Sequence, residues 1–339
     1  MTLTLSVLDQ SPVRSGSSAL DAIEETIELA QLAEELGYAR YWLAEHHGTE
    51  GLAGCSPEVL LARVGAATRD IRIGSGGVML THYSPLKVAE NFALLSTMFP
   101  GRIDLGLGRA PGGDRLTSQA MLYGSNVGVE YYPSKVLDLK AFLYGGDPAS
   151  AGLSRVKVTP RPPFPPEIWL LGSTADSATL AAMFGLPFSF AHFINPAPPQ
   201  SILDHYRNKF TPSNILDKPQ ASVCVFAICA ETKAEAERLA SSGALWRVMI
   251  EKGRLGPFPS PEEAEAYPYT EAELRAAEEG RNRGIVGDPD FVKSRIESIA
   301  SDCGIDEVMV VTICHDVAAR RKSYELLADT FGLKRRSRA

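Results

Sequence analysis

The chain has 339 residues, 45% of them apolar and 22% charged, with a formal net charge of −7; it is too long for one ordinary hydrophobic core, though not for a barrel. No apolar run approaches the roughly eighteen residues needed to span a bilayer. The negative charge opposes nucleic acid, and the basic tail, Lys334, Arg335, Arg336 and Arg338, reads as a solvated end. The N-terminus lacks a cationic leader, and Cys55, Cys224, Cys229, Cys303 and Cys314 lack the paired spacing of zinc or redox sites. These features point to a soluble, cytoplasmic protein with reduced, mostly structural thiols.

In chain order, short β-rich runs alternate with longer amphipathic stretches, the pattern of βα units around a parallel sheet. Strands are expected at 3–8, 41–44, 71–78, 103–107, 168–171, 188–191, 222–228 and 307–312. Helices are expected at 19–36, 57–68, 85–99, 177–184, 233–245, 290–301 and 315–330. Pro57 behind Ser56, and Pro85 behind Ser84, place a serine N-cap before a proline at the first helical position. Gly37 and Gly185 are expected to end their helices in the left-handed conformation. Eight strands spread along the chain, with no linker dividing it, favour one (β/α)₈ TIM barrel over residues 1–339. Two stretches exceed a minimal barrel. Residues 111–166 hold a helical region around 130–143, an extended segment at 155–158 and a proline-rich run at 160–166. Residues 246–287 hold Gly256-Pro257-Phe258-Pro259 and an acidic helix near 270–279. Long loops at a barrel's C-terminal face are usually lids or binding loops, and the second is expected to be mobile without ligand.

Barrel chemistry resides where strands end. After the second strand comes Glu45-His46-His47. It reads either as a structural carboxylate–imidazole pair or as an acid–base group, one histidine facing the barrel axis and its neighbour facing away. A zinc site would need a third ligand, and His82, His192, His205 and His315 do not supply metal-like spacing. Gly74-Ser75-Gly76-Gly77-Val78 implies a bulge, or a backbone that a flat ring can approach, or simply a tight bend. In the run from Leu105 to Gly113 the glycines are spaced GxGxxxG and Pro111 stands where a helix would begin, so the dinucleotide fingerprint is not met. Arg109 there suits a phosphate clamp. Gly172-Ser173-Thr174-Ala175-Asp176-Ser177 runs into a helix and offers hydroxyls, N–H donors and a dipole to a phosphate; the plainer reading is an N-cap made by Asp176 or Ser173. A barrel lyase or aldolase using the same phosphate groups would need a Schiff-base lysine, and none lies at a clear strand end.

Taken in order, Glu45-His46-His47, Gly74-Ser75-Gly76-Gly77, the run from Gly101 to Arg109, Gly172-Ser173 and Ile285-Val286-Gly287-Asp288-Pro289 resemble the bacterial-luciferase-like flavin monooxygenase family over nearly the whole chain. The resemblance implies FMN at the C-terminal mouth of the barrel, its ring near a third-strand bulge that often carries a non-proline cis peptide, here Gly76-Gly77. It implies His46 as the acid/base group near flavin C4a, with Glu45 supporting the ring pocket. The cofactor contacts it implies are Gly76, Gly77, Gly108, Arg109, Gly172, Ser173, Asp176 and Ser177. Gly108 stands where light-emitting subunits often carry a reactive cysteine, and Asp176 and Ser177 replace or shift a phosphate-loop threonine; both departures argue against light emission. The implied activity takes reduced FMN from a separate flavin reductase, forms a C4a-peroxide with O₂ and oxidises a small organic substrate, in a homodimer. Two other readings stay open, a deazaflavin-dependent reductase or dehydrogenase on the same fold and a flavin-binding protein without turnover. Phe193, Trp246, Phe258 and Tyr269 are the loop side chains expected to bear on substrate choice.

Overall fold

A computed structural model describes residues 3–110, 112–124, 127–281 and 283–336; Pro111 and Arg338 lie outside them. The first half of the chain runs β1 (Thr4–Asp9), α1 (Ala19–Leu36), β2 (Arg40–Leu43), α2 (Pro57–Ala67), β3 (Arg72–Met79), α3 (Pro85–Met98), β4 (Ile103–Gly108), α4 (Arg115–Leu122) and α5 (Tyr132–Tyr144). The second half runs β5 (Glu167–Gly172), α6 (Ala175–Phe184), β6 (Phe188–Ala191), α7 (Gln200–Lys209), β7 (Ala221–Cys229), α8 (Lys233–Glu251), α9 (Pro261–Ala266), α10 (Glu271–Arg281), β8 (Ile285–Gly287), α11 (Pro289–Cys303), β9 (Glu307–Val311) and α12 (Val317–Phe331).

All pairings among these strands are parallel, in the order β6-β5-β4-β3-β2-β1-β9-β7, and β6 pairs with β7 to close the ring. The eight strands read from the sequence therefore form a TIM barrel. The short β8, which alternation did not reveal, pairs with the far end of β7 beyond the ring. Helices pack their apolar stripes onto the barrel's outer face. In α1, Ala22, Thr26, Leu29, Ala30, Ala33 and Leu36 are buried at helical spacing, behind a capping box of Ser18 and Asp21. Gly37 and Gly185 cap their helices with φ of 88° and 60°, as expected.

Local expectations failed in four places. Ser56 and Ser84 occupy the N-cap positions before Pro57 and Pro85, but neither hydroxyl accepts a capping bond from its helix backbone. Residues 155–158 do not form a strand: a 3-10 turn at Leu153–Arg155 leads into the proline-rich run, which lacks the N–H groups a ladder requires. α8 extends to Glu251, so the second insertion begins inside a helix. α6 begins at Ala175 and is capped by Thr174, whose hydroxyl accepts from the Ser177 N–H, in place of Ser173 or Asp176.

The N-terminal end of the barrel is closed by charge. Arg40 bonds Asp104 at 2.8 Å and Glu307 at 3.0 Å, and Arg72 adds ion pairs to Asp104 and Glu167. One layer higher, the buried Trp42 and Trp169 rings meet edge to face, 5.5 Å between centroids. Trp42 Nε1 donates to Asp104 Oδ2 at 2.9 Å, tying the aromatic layer to the charged one. No helix among the described residues is long and apolar enough to cross a membrane.

Candidate active site

Above the tryptophans, at the C-terminal ends of the strands, lies a cavity of about 600 Å³, within the size range of small-ligand and cofactor sites. Its floor is apolar: Leu8, Trp42, Leu171, Cys224 and Met309. Around the rim stand Glu45, His46, Gly76, Gly77, Gly108, Arg109, Gly172, Ser173 and Ser177. Nine of the ten residues proposed from sequence thus share one wall. The exception is Asp176, which is exposed in the first turn of α6 and outside that wall.

The two histidines after β2 have different surroundings. Glu45 is buried, and its Oε1 accepts from Tyr83 Oη at 2.7 Å and lies 2.7 Å from His47 Nε2, while its Oε2 accepts from the Met79 N–H at 3.0 Å. Three contacts tie it to Met79, Tyr83 and His47 and hold the loop, so Glu45 and His47 match the carboxylate–imidazole pair. His46 is the histidine that lines the cavity. Its backbone N–H bonds the Gly54 carbonyl, which fixes the main chain, but its buried Nδ1 has no hydrogen-bond partner. Burial, and secondarily the neighbouring His47, push its pKa down to about 4, so the ring is neutral at pH 7. A neutral imidazole in the wall of a ligand-sized space can bond a ligand or exchange a proton.

On the neighbouring strand stands the glycine wall of β3. The Gly76-Gly77 peptide is cis, as the resemblance implied, and the pairing with β4 shifts register between Ser75 and Val78. Side chains are crowded here: a Cβ on Gly77 would lie 2.7 Å from the Gly106 carbonyl oxygen, and one on Gly76 would lie 2.5 Å from Leu8 Cδ1, which would have to shift. The wall is therefore bare backbone, against which a flat ring can lie.

The third corner combines Arg109, just past β4, with the N-terminus of α6. Arg109 has no ion pair or hydrogen bond among the described residues. Gly172 packs so closely on Ser177 that a Cβ would collide with its hydroxymethyl group. Asn195 Nδ2 donates to the Ser173 carbonyl at 2.8 Å, fixing the loop that leads into the helix. An unpaired guanidinium, two serine hydroxyls and the positive end of a helix converge here, as a phosphate requires. Among the described residues no cluster of His, Cys, Asp or Glu could hold a metal ion.

Sequence reasoning missed several contributors. Val129, from the first insertion, reaches the cavity. Tyr83 lies well after β3, and nothing in its local pattern marks it as a partner of Glu45. A second cavity of about 380 Å³ adjoins the first and shares Gln10, Phe193 and Ile194 with it. Trp246 and Phe258 line this outer chamber, whereas Tyr269 does not. The expected lid is tied down along 255–258: the Leu255 carbonyl accepts from Glu50 N–H, Phe258 exchanges backbone hydrogen bonds with Val13 and Ser15, and Trp246 Nε1 donates to the Gly256 carbonyl.

The family model described as luciferase-like monooxygenase matches residues 1–307. The N-acetyl-S-alkylcysteine monooxygenase of Bacillus subtilis (strain 168) is 37% identical over 330 residues, covering 96% of this chain and 98% of its own. The crystal structure of apo-MsnO8 superimposes with a TM-score of 0.90 at 37% identity, covering 98% of this chain and 100% of that one. At 19% identity and a TM-score of 0.66, the fold is shared with the oxygenating constituent of 3,6-diketocamphane monooxygenase from Pseudomonas putida, solved with FMN, over 97% of each chain.

Proposed function

Because the chain belongs to the luciferase-like monooxygenase family, a family of flavin-dependent oxidoreductases, we propose that its 600 Å³ cavity takes reduced FMN and that the enzyme oxygenates a small organic molecule. One observation carries the reading: His46 with its unbonded, buried Nδ1, the bare backbone at Gly76-Gly77, and Arg109, which has no partner among the described residues, line one cavity. These features fit the parts of FMN: a flat apolar ring with polar edges, and a phosphate dianion. When bound, reduced FMN, delivered by a separate reductase, supplies the two electrons with which one atom of O₂ enters the substrate and the other leaves as water.

The chain's own groups supply placement and proton control. Arg109, Ser173, Ser177 and the N-terminus of α6 hold the phosphate; Asp176 stands apart from that set. The glycine wall orients the ring, and the Trp42 and Leu8 floor excludes water from beneath it. His46 holds or moves a proton on its imidazole, while Glu45 fixes the loop that presents it. The relative named for N-acetyl-S-alkylcysteines supports a small organic substrate. A homodimer belongs to the same proposal.

Anaerobic titration with reduced FMN, followed by admission of air, tests the assignment. We expect saturable binding, and reoxidation kinetics that differ from those of free flavin. In Arg109→Ala, loss of a charge-assisted phosphate contact should weaken binding about 10- to 100-fold. Absence of binding by the wild type would overturn the flavin assignment. Turnover without oxygen, using a deazaflavin, would shift the reading to a dehydrogenase.

A further inference from the structure

The outer chamber has walls that are mostly apolar, with Trp246, Phe258, Val286 and Ile313 among them. Two arginines break that pattern. Arg247 on α8 and Arg283, just before β8, both line the chamber, and neither has an ion pair or a side-chain hydrogen bond among the described residues. They lie close enough that Arg283, after burial, is the next cause holding the Arg247 pKa below its ordinary value, with Glu251 opposing. The Arg247 stem packs on Gly280 of α10, where a Cβ would come within 3.2 Å of Cδ, so the guanidinium is seated by packing. Glu251, one turn further along α8, is the carboxylate lining this wall. Two like charges in an apolar recess repel each other and lose water, and an anionic ligand relieves both costs. Planar, paired guanidinium groups suit a carboxylate in particular.

We propose that the outer chamber is a substrate site for an apolar carboxylate, its carboxylate held by Arg247 and Arg283 and its apolar portion directed along Phe193 and Ile194 toward the inner cavity. The proposal rests on the monooxygenase reading of the inner cavity and names the substrate class for it. It accounts for the two-chamber layout. Gln10, Phe193 and Ile194 belong to both walls, so a molecule anchored at the arginines extends to the place where the inner cavity begins.

The test uses the flavin-free full chain with octanoate and its neutral isostere octanamide, followed by calorimetry and by Trp246 fluorescence. Octanoate should bind at least about tenfold more tightly than octanamide, as expected for a desolvated charge-assisted pair. In Arg247→Gln/Arg283→Gln the preference should fall below about threefold while octanamide affinity is unchanged. Arg247→Lys/Arg283→Lys should restore part of it, which separates loss of charge from loss of fold. Equal binding of acid and amide by the wild type, binding of neither, or a preference that survives the double glutamine variant would each overturn the proposal. Failure of the flavin reading would show separately, as wild-type protein that prefers octanoate yet does not bind reduced FMN.

Discussion

His46→Ala should leave the affinity for reduced FMN within about threefold of wild type, while the share of consumed oxygen released as hydrogen peroxide rises and coupled turnover falls by about 10²- to 10⁴-fold, the range for losing a general acid or base. The reasoning is geometric first. Glu45, His47 and Tyr83 form a hydrogen-bonded set that holds the loop, and His46 stands outside it in the cavity wall, its buried Nδ1 unbonded. Removing its ring takes away the nitrogen and leaves the phosphate corner and the glycine wall untouched. Its low pKa, about 4, adds a pH signature. The imidazole is neutral from alkaline pH down to about 5, so the part of the rate that depends on a neutral His46 should be flat there and decline below. The sign for stability follows from the same depression. An unfolded chain binds this proton near the ordinary value of about 6.5, so His46 favours unfolding increasingly as pH falls from 6.5 toward 4, and His46→Ala should flatten that slope. Equal coupling in the variant, measured as peroxide yield per oxygen consumed, would remove His46 from the chemistry.

Arg320→Met should destabilise the fold by about 3 to 5 kcal/mol, the cost of leaving a buried charge without its partner. Asp9 ends β1, fully buried, and meets Arg320 at 2.6 Å, Tyr41 Oη at 2.6 Å and Thr26 Oγ1 at 2.8 Å. Burial works against its ionised form, but Arg320 and the hydrogen bonds from Tyr41 and the Ser11 N–H hold its pKa below the ordinary value. In the wild type this carboxylate therefore contributes stability that is complete above its unfolded pKa, near 3.9, and is lost as pH falls through the lower folded value. Without Arg320, burial is unopposed by the cation and the folded pKa rises. The deficit should then be widest at neutral pH and shrink as Asp9 becomes protonated. Denaturant melts at pH 7 and pH 4 check both magnitude and slope. The double variant Asp9→Leu/Arg320→Met should recover much of the loss, since replacing a buried pair is tolerated better than halving it. A single-variant deficit that does not change with pH would mean that Arg320 acts through packing alone.

Most of the barrel was legible because its strands are brief apolar bursts between capped helices. What escaped was short or polar. β8 has three residues, α4 buries none of its side chains, and α7 buries only Leu203 and Tyr206; all three are short and poor in core-facing apolar residues. In the site, alternation established only that one histidine of the pair faces the axis; the family resemblance chose His46, and the bond between Glu45 and His47 gives the structural reason. The residues around Gly172 include several that can cap a helix, and only the backbone geometry selects Thr174 while leaving Asp176 in solvent. The floor was out of reach for another reason: Arg40 and Glu307 are 267 positions apart, and their pairing depends on the barrel closing.

Cys224 lies in the wall of the inner cavity, and burial pushes its thiol pKa well above the ordinary value. Burial also raises Cys229, Cys303 and Cys314, to about 12, 11 and 12. Thiolates, not thiols, are attacked by peroxides. Were the proposed oxygen chemistry to release hydrogen peroxide, the cysteine in the cavity wall would meet it as the unreactive, protonated thiol. Cys55 is the exposed thiol and lies outside the cavity wall, so a sulfenic acid formed there would leave the chamber's shape intact.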